Sequence, residues 1–159
     1  MHIRLLEHKD QINIEKIMSE YPLQFPTFII DQYPVRWSKF LVPREENDAE
    51  GYYVAIGDND ETIGHAGYLY NEELGLYEIV GVVVKKGAQR QGIGAALINT
   101  ILETIKKMNE KEIILYTLGH VGNEDTIQFY NNIGFELAAY ERDFFRTDYH
   151  RVTFTKTLS

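Results

Sequence analysis

The 159-residue sequence contains no cysteine. Disulfides, thiolate metal sites and a cysteine nucleophile are therefore excluded. Proline is scarce, four in the chain, so few points force a break in regular structure. Long apolar runs are missing too. The longest, Ile79-Val80-Gly81-Val82-Val83-Val84, has the length of a strand and falls far short of the roughly 20 residues that cross a bilayer. The opening Met1-His2-Ile3-Arg4-Leu5-Leu6-Glu7 has no apolar h-region, so a secretory leader is not expected and a cytoplasmic location is. Cations are outnumbered, 16 Lys+Arg against 24 Asp+Glu, for a net charge of −8. Phosphate contacts need clustered cations, so neither nucleic acid nor a membrane is an expected partner. The acidic excess reads as a solvated surface or as an attractor for a cationic substrate.

What is present is ordinary for a globular fold: 44% hydrophobic and 25% charged residues, with no repeat and no low-complexity tract. The length suits one domain over residues 1–159. Residues 3–6 read as a short strand. Residues 10–21 carry Ile12, Ile14, Ile17 and Met18 in a mainly helical pattern that Pro22 ends. Residues 25–42 are aromatic and cut by Pro26 and Pro34, which predicts one or two short helical pieces. A charged surface loop spans 43–51. Strands at 52–56 and 62–70 form a hairpin around Asp58-Asn59-Asp60-Glu61. Residues 76–85 are β-branched and almost unbroken, as a central strand requires. From 92 to 108 the spacing puts Leu97, Ile98, Ile101, Leu102, Ile105 and Met108 on one helical face, with Asn109 as the stop. A strand at 112–118, a short helix capped by Asn123 and ended by Gly134, and strands at 135–142 and 151–158 complete the chain. An aromatic loop at 143–149 lies before the last strand. The alternation predicts an α/β domain with a mixed sheet and helices packed on it.

The chemistry begins at Gln89-Arg90-Gln91-Gly92-Ile93-Gly94-Ala95, between the best strand and the best helix. Glycines let backbone N–H groups approach a ligand, and a helix start supplies unpaired donors at its positive dipole end. Three phosphate cradles compete. Gly87-x-x-x-x-Gly92 begins like a P-loop, but Ile93 stands where lysine is required. Gly92-x-Gly94 could open a dinucleotide fingerprint, but Leu97 holds the third glycine's place and the loop after the strand is long. Gln89-x-x-Gly92-x-Gly94 matches a third pattern, Gln/Arg-x-x-Gly-x-Gly/Ala.

That third pattern resembles the pyrophosphate-binding motif of the GNAT N-acetyltransferase superfamily. A second stretch, Asn123-x-x-Thr126-Ile127-x-Phe129-Tyr130-x-x-x-Gly134-Phe135, resembles the family's later motif, in the family's order and with a helix and a strand between the two. Thr126 stands where Ala is usual, Lys86 where many members have Pro, and Gln89 where Arg is commoner. The resemblance implies a GNAT-like acyltransferase fold, with a central, mostly antiparallel mixed sheet flanked by helices. It implies acetyl-CoA as co-substrate. Backbone groups of Val82, Val83 and Val84 would pair with pantetheine in a splayed gap between strands. The loop from Gln89 to Ala95 would hold the pyrophosphate, and Asn123 would cap its helix and contact the pantetheine arm.

Acetyl transfer to an amine needs a base for the ammonium, an acid for the departing thiolate and donors for the oxyanion. Without cysteine no cysteinyl acyl-enzyme forms, so direct attack in a ternary complex is the simpler expectation. Tyr130 is the candidate acid, since a phenol titrating near ~10 is protonated at neutral pH; packing beside Ile127 and Ile133 is its bland reading. Glu78 is the candidate base. Strand alternation sets it on the face of Val80, Val82 and Val84, where apolar neighbours raise a carboxyl pKa; a solvated glutamate near a strand end is the alternative. His120 and Glu72 are reserves. Five histidines show no ligand spacing, and no metal is expected. The aromatic cluster Phe25, Phe28, Tyr33, Trp37 and Phe40 either lines an acceptor pocket or packs in the core, and the 143–149 loop shapes that pocket or a dimer contact. A homodimer is left open. The expected acceptor is a small cationic amine. A protein lysine or N-terminal amine, and a non-catalytic CoA-binding regulatory module, are the alternatives.

Overall fold

A computed structural model describes residues 1–42, 49–119 and 124–158, so the loop at 43–48 and the expectations for His120 and Asn123 lie outside the described residues. The chain runs β1 (His2–Leu5), α1 (Gln11–Ser19), α2 (Thr27–Ile30), α3 (Tyr33–Leu41), β2 (Glu50–Ile56), β3 (Thr62–Asn71), β4 (Leu76–Val84), α4 (Ile93–Lys107), β5 (Glu112–Leu118), α5 (Glu124–Asn132), β6 (Glu136–Arg146) and β7 (Tyr149–Thr157). A 3-10 turn at His8–Asp10 leads into α1. The two prolines that seemed to cut the aromatic segment open its helices instead. Pro26 precedes α2 and Pro34 lies in the first turn of α3, where a missing N–H has no partner to lose.

The strands form one seven-stranded sheet ordered β1-β2-β3-β4-β5-β7-β6. Only β4 and β5 pair in parallel, joined by the α4 crossover. On one face α4 buries Leu97, Ile98, Ile101 and Ile105 against Ile79, Ile113 and Leu115, and α5 adds Tyr130. On the other face Ile14, Ile17 and Met18 of α1 and Trp37 of α3 pack on Tyr52, Val54, Val80 and Val83. Helix α4 ends where expected, at left-handed Asn109 with φ 64°. No described helix is long and apolar enough to cross a membrane.

Two features depart from the sequence reading. The aromatic segment at 143–149 is mostly strand. It carries β6 to Arg146, which pairs with Tyr149, and the strand bulges outward between Glu141 and Arg146 around left-handed Asp143. The second departure concerns β4. His65 pairs with Val83 and Gly67 with Val80, so Gly81 and Val82 together oppose the single residue Ala66. This is a β-bulge on a glycine at φ 63°. One inserted residue slips the alternation. Tyr77, Ile79, Val82 and Val84 face α4, whereas Val80 and Val83 face α1 and α3. Glu78 therefore shares its face with Val80 and Val83, and the expectation that it sides with Val82 and Val84 is corrected.

Beyond the bulge the sheet divides. The β4–β5 ladder holds only from Tyr77↔Ile113 to Ile79↔Leu115. Strand β5 stays with β7 as far as Leu118↔Arg151, and β4 stays with β3 as far as Val84↔Gly64. The edges in between are left facing a gap.

Gly81 and Gly87 offer a matched test of the bulge. Both have positive φ, 63° and 91°. A Cβ at 87 would meet nothing within 4 Å, but at 81 it would lie 2.8 Å from Tyr33 Cε1 and 2.9 Å from His65 Cε1. Gly87→Ala is expected to cost the backbone strain alone, about 1–2 kcal/mol. Gly81→Ala is expected to cost about 1–3 kcal/mol more through overpacking. Urea unfolding of the two variants checks this, with the difference read from midpoints at unchanged m-value.

Candidate active site

The divided sheet opens a cleft of about 400 Å³. Its walls are Glu78 and residues 79–82 of β4, residues 116–118 of β5, Thr126 and Tyr130 of α5, and Phe25, Tyr33 and Arg36 from the α2–α3 segment. Glu78 belongs to the α3 side of the sheet and Tyr130 to the α4 side, yet both line the same space, because the strands between them have parted.

Glu78 is half-buried and accepts a hydrogen bond from Asn71 Nδ2 at 3.3 Å. Burial raises its carboxyl above the ordinary glutamate value, against the opposing pull of Asn71, Arg36 and Arg151. Tyr130 is 6% exposed, and its ring packs on Phe129, Phe135 and Phe154 at centroid distances of 5.2, 5.8 and 5.5 Å. Burial holds its phenol above the usual tyrosine range. Its hydroxyl has no hydrogen-bond partner among the described residues, and the raised pKa keeps it protonated at neutral pH.

Of the three valines expected at the gap, only Val82 lines it. Val83 is buried in the α1–α3 core, and the carbonyl of Val84 accepts the Tyr21 hydroxyl at 2.7 Å. The glycine loop lies just beyond. Gly92 precedes α4 at φ 76°, and the Ala96 N–H makes the first helical bond, to the Gly92 carbonyl at 3.0 Å. The N–H groups of Ile93, Gly94 and Ala95 thus leave the helix end without intrahelical partners. A Cβ on Gly92 or Gly87 would meet nothing within 4 Å, and Gln89, Arg90 and Gln91 are exposed. Open space, three outward donors at a positive dipole end and one exposed guanidinium fit a pyrophosphate. The side chain of Ile93 is a core plug at 3% exposure. Gly94 has a packing reason as well, since a Cβ there would stand 3.3 Å from Phe129. The Gln89 side chain meets the Tyr21 hydroxyl. Thr126, in place of the usual alanine, accepts a hydrogen bond from Gln24 and so ties α5 to the segment between α1 and α2.

Several residues of the site lie outside the sequence reading. His65 is fully buried. Trp37 Nε1 donates to its Nε2 at 3.1 Å, and its Nδ1 lies 2.7 Å from the Gly81 carbonyl, which assigns the proton to Nδ1. Burial lowers its pKa to about 4, so the ring is neutral and clamps the bulge. Arg36 follows from the helical spacing 33, 36, 37, 40, which sets it beside the inward Tyr33 and Trp37. Arg151 is held between Tyr116 and Phe144, 4.2 and 3.6 Å from the ring centroids, and its Nε donates to Glu141 at 2.8 Å. At the β6–β7 tip, Arg146 lies 4.0 Å over the Phe28 ring, and the neighbouring Phe145 enters the cleft wall. The aromatic cluster is thereby divided: Phe25 and Tyr33 line the cleft, Phe28 anchors the tip, and Trp37 and Phe40 pack within the α1–α3 core. One grouping of metal-ligand type occurs among the described residues, Asp143, Asp148 and His150. It is bound up in its own turn, with the Asp143 N–H on His150 Nδ1 and the Asp148 N–H on Asp143 Oδ1.

Comparison with known proteins gives one answer. The sequence profile of the Acetyltransferase (GNAT) family matches residues 14–135. No protein of curated function matches the chain. Among solved structures, a protein described as a GNAT-family acetyltransferase from Desulfovibrio desulfuricans superposes with a TM-score of 0.83 at 18% identity, covering 99% of both chains. An aminoglycoside 6'-N-acetyltransferase complexed with coenzyme A gives 0.74 at 16% identity, covering 100% of this chain and 98% of that one. A spermidine/spermine N-acetyltransferase from Vibrio cholerae, complexed with manganese, gives 0.70 at 18% identity, covering 99% and 92%. These likenesses establish a common fold.

The buried histidine makes stability depend on pH. Its folded pKa of about 4 lies below the ordinary 6.5, so the unfolded chain binds the extra proton between those values. Stability from this group is complete above pH 6.5 and is lost as pH falls toward 4, by about 3 kcal/mol in all. His65→Gln is expected to be less stable at pH 7 and to lack this part of the pH dependence. Chemical denaturation of both proteins across pH 4–7.5 reads the difference, which also cancels the shared titration of carboxylates.

Proposed function

The chain belongs to the GNAT acetyltransferase family, and from that premise we propose that it moves the acetyl group of acetyl-CoA to the primary amine of a small acceptor by direct attack in a ternary complex. The observation that carries this reading is the meeting of Glu78 and Tyr130 across the divided sheet, at the mouth of a gap whose edge leads to the start of α4. Acetyl-CoA supplies the acyl group already activated as a thioester.

The residues divide the work. The outward N–H groups of Ile93, Gly94 and Ala95, with the loop from Gln89 to Gly92, hold the pyrophosphate. Val82 and its backbone border the pantetheine in the gap. Glu78 takes a proton from the acceptor ammonium, and its raised pKa suits that task. Tyr130 faces the departing sulfur and gives or shares its proton there. Two protons leave the nitrogen in all. Glu78 takes the first and passes it to solvent. As the N–C bond forms and the C–S bond breaks, the second replaces the one Tyr130 gives to the sulfur, so the balance is an amide, free CoA and one released proton. The confined cleft, walled by Phe25, Tyr33 and Phe145, supports a small acceptor over a protein amine. So do the aminoglycoside and spermidine enzymes of the same fold.

Three measurements test this. Calorimetric titration is expected to show selective micromolar binding of acetyl-CoA, and none of NADH or ATP. Tyr130→Phe is expected to lower kcat about 100-fold, a typical share for one proton donor, with acetyl-CoA affinity unchanged. For the wild type, kcat/KM should rise with pH through a value above the ordinary glutamate pKa, because the base must be ionised. Glu78→Gln should remove that limb. If acetyl-CoA binds but no amine in a broad panel releases CoA above hydrolysis, the chain is a CoA-binding regulatory module instead.

A further inference from the structure

The charges within the cleft differ from those of the whole chain. Although the protein carries a net −8, the walls hold Arg36 and Arg151 as well as Glu73 and Glu78. These arginines are not equivalent. Arg151 is neutralised by Glu141 and fixed between two rings. Arg36 makes no close ion pair among the described residues, although its charge is felt by Glu78. Its guanidinium is half-buried, lies 5.1 Å from the centre of the Tyr33 ring and faces the Tyr33 hydroxyl. An unpaired, partly desolvated guanidinium lining a cleft is costly unless a ligand completes it.

We infer that the acceptor is an amino carboxylate, whose amine is presented to Glu78 and whose carboxylate is held by Arg36. This rests on the acetyltransferase reading above and names the substrate class for that site. The planar fork of an arginine matches a carboxylate with two parallel N–H···O bonds. A phosphate would bring more negative charge to a wall that offers one unpaired cation beside Glu73 and Glu78, so carboxylate is the better match. A polyamine would place its remote ammonium against Arg36, which disfavours it. The lining also includes Phe25, Ile29 and Leu74, which offer contact to an aliphatic or aromatic body. Arg36 thus selects the acceptor through its carboxylate; toward the proton it acts only through its charge, which opposes the raised pKa of Glu78.

The test uses the full-length enzyme with leucine and phenylalanine, their primary amides, and spermidine. CoA release is one readout. The second is the rise in melting temperature that each compound causes in the presence of CoA. The carboxylates are expected to exceed their amides at least tenfold in kcat/KM. Arg36→Gln should raise KM for the carboxylates by about tenfold to a hundredfold, the effect of losing a hydrogen-bonded charge. It should shift the pH limb of Glu78 equally for all acceptors, so that the ratio of carboxylate to amide kcat/KM, read on the plateau above that limb, falls by the same tenfold to hundredfold. Arg36→Lys, which keeps the charge and loses the fork, should restore part of the loss. If amides or spermidine are acetylated as well as the amino acids or better, or if Arg36→Gln weakens all acceptors alike, the inference is wrong and the acetyltransferase reading stands. If nothing is acetylated but the amino acids still raise the melting temperature in an Arg36-dependent way, the carboxylate site stands and the transfer reading fails. If neither readout responds, the inference is wrong.

Discussion

One left-handed residue in the middle of β4 sets the geometry on which everything else depends. Gly81 inserts an unpaired position into the ladder with β3, and two consequences follow. The side chains beyond it exchange faces, which turns Val82 toward the gap and Val83 into the α1–α3 core. The strand also bends as it continues with β3, while β5 continues with β7, so the two halves of the sheet separate after three paired residues. In a closed sheet Glu78 and Tyr130 would stand on opposite faces, with a hydrogen-bonded backbone between them. No substrate could touch both. The gap lets a tyrosine from one helical layer and a carboxyl from the other strand face line one cleft, as the proposed transfer requires.

The bulge is held by an arrangement that a purely apolar core could not supply. The Gly81 carbonyl and the Trp37 indole N–H both point into the interior, and His65 satisfies the two at once. Replacing it with an apolar residue of similar size would orphan both groups, at a cost of about 1–3 kcal/mol each. The ring must be neutral to do this, because its Nε2 accepts. The stacked Tyr52 and the edge-on Tyr33 and Trp37 exclude the water that would stabilise a charged imidazole. The same burial that disqualifies His65 as an acid or base makes it a rigid support for the strand that carries Glu78.

Much of this was legible in the sequence, and what was not has physical causes. Elements with strong local signals read well: the α4 face, its asparagine stop, the hairpin of β2 and β3, and the placement of the glycine loop. Glu78 was proposed by residue type and grouped rightly with Val80 but wrongly with Val82 and Val84, because period-two alternation assumes an unbroken strand. The correction was itself written in the sequence, as a glycine within a run of valines, where a bulge is the usual reason. The 143–149 segment looked like a loop because Asp143 and Asp148 do sit at positive φ. Its pairing depends on β7, which no local pattern reveals. Gly94 had a ready explanation in the pyrophosphate motif, and its contact with Phe129 belongs to the packing of α5 on α4. Arg36 escaped notice because its meaning comes from Glu78, forty-two positions later in the chain and across the cleft.

The parts of the site therefore come from two sources with different rules. The proposed base, acid, gap edge and phosphate cradle all lie on the stretch from β4 to α5, where strand pairing and helix ends position the backbone donors. The acceptor walls come from elsewhere: α2, α3 and the β6–β7 tip, elements joined to the site mainly by side chains such as Phe28, Arg146 and the Gln24–Thr126 link. This division explains how one fold accommodates aminoglycoside and polyamine acetyltransferases while keeping its sheet. The charge of the whole chain and the charge of the cleft are separate quantities. The twenty-four acidic residues include Glu73 and Glu78 on the cleft wall and the buried Asp10 and Glu50. The exposed ones act over a screened distance, whereas the charges that line the cleft, Arg36 and Arg151 among them, lie where an acceptor would sit.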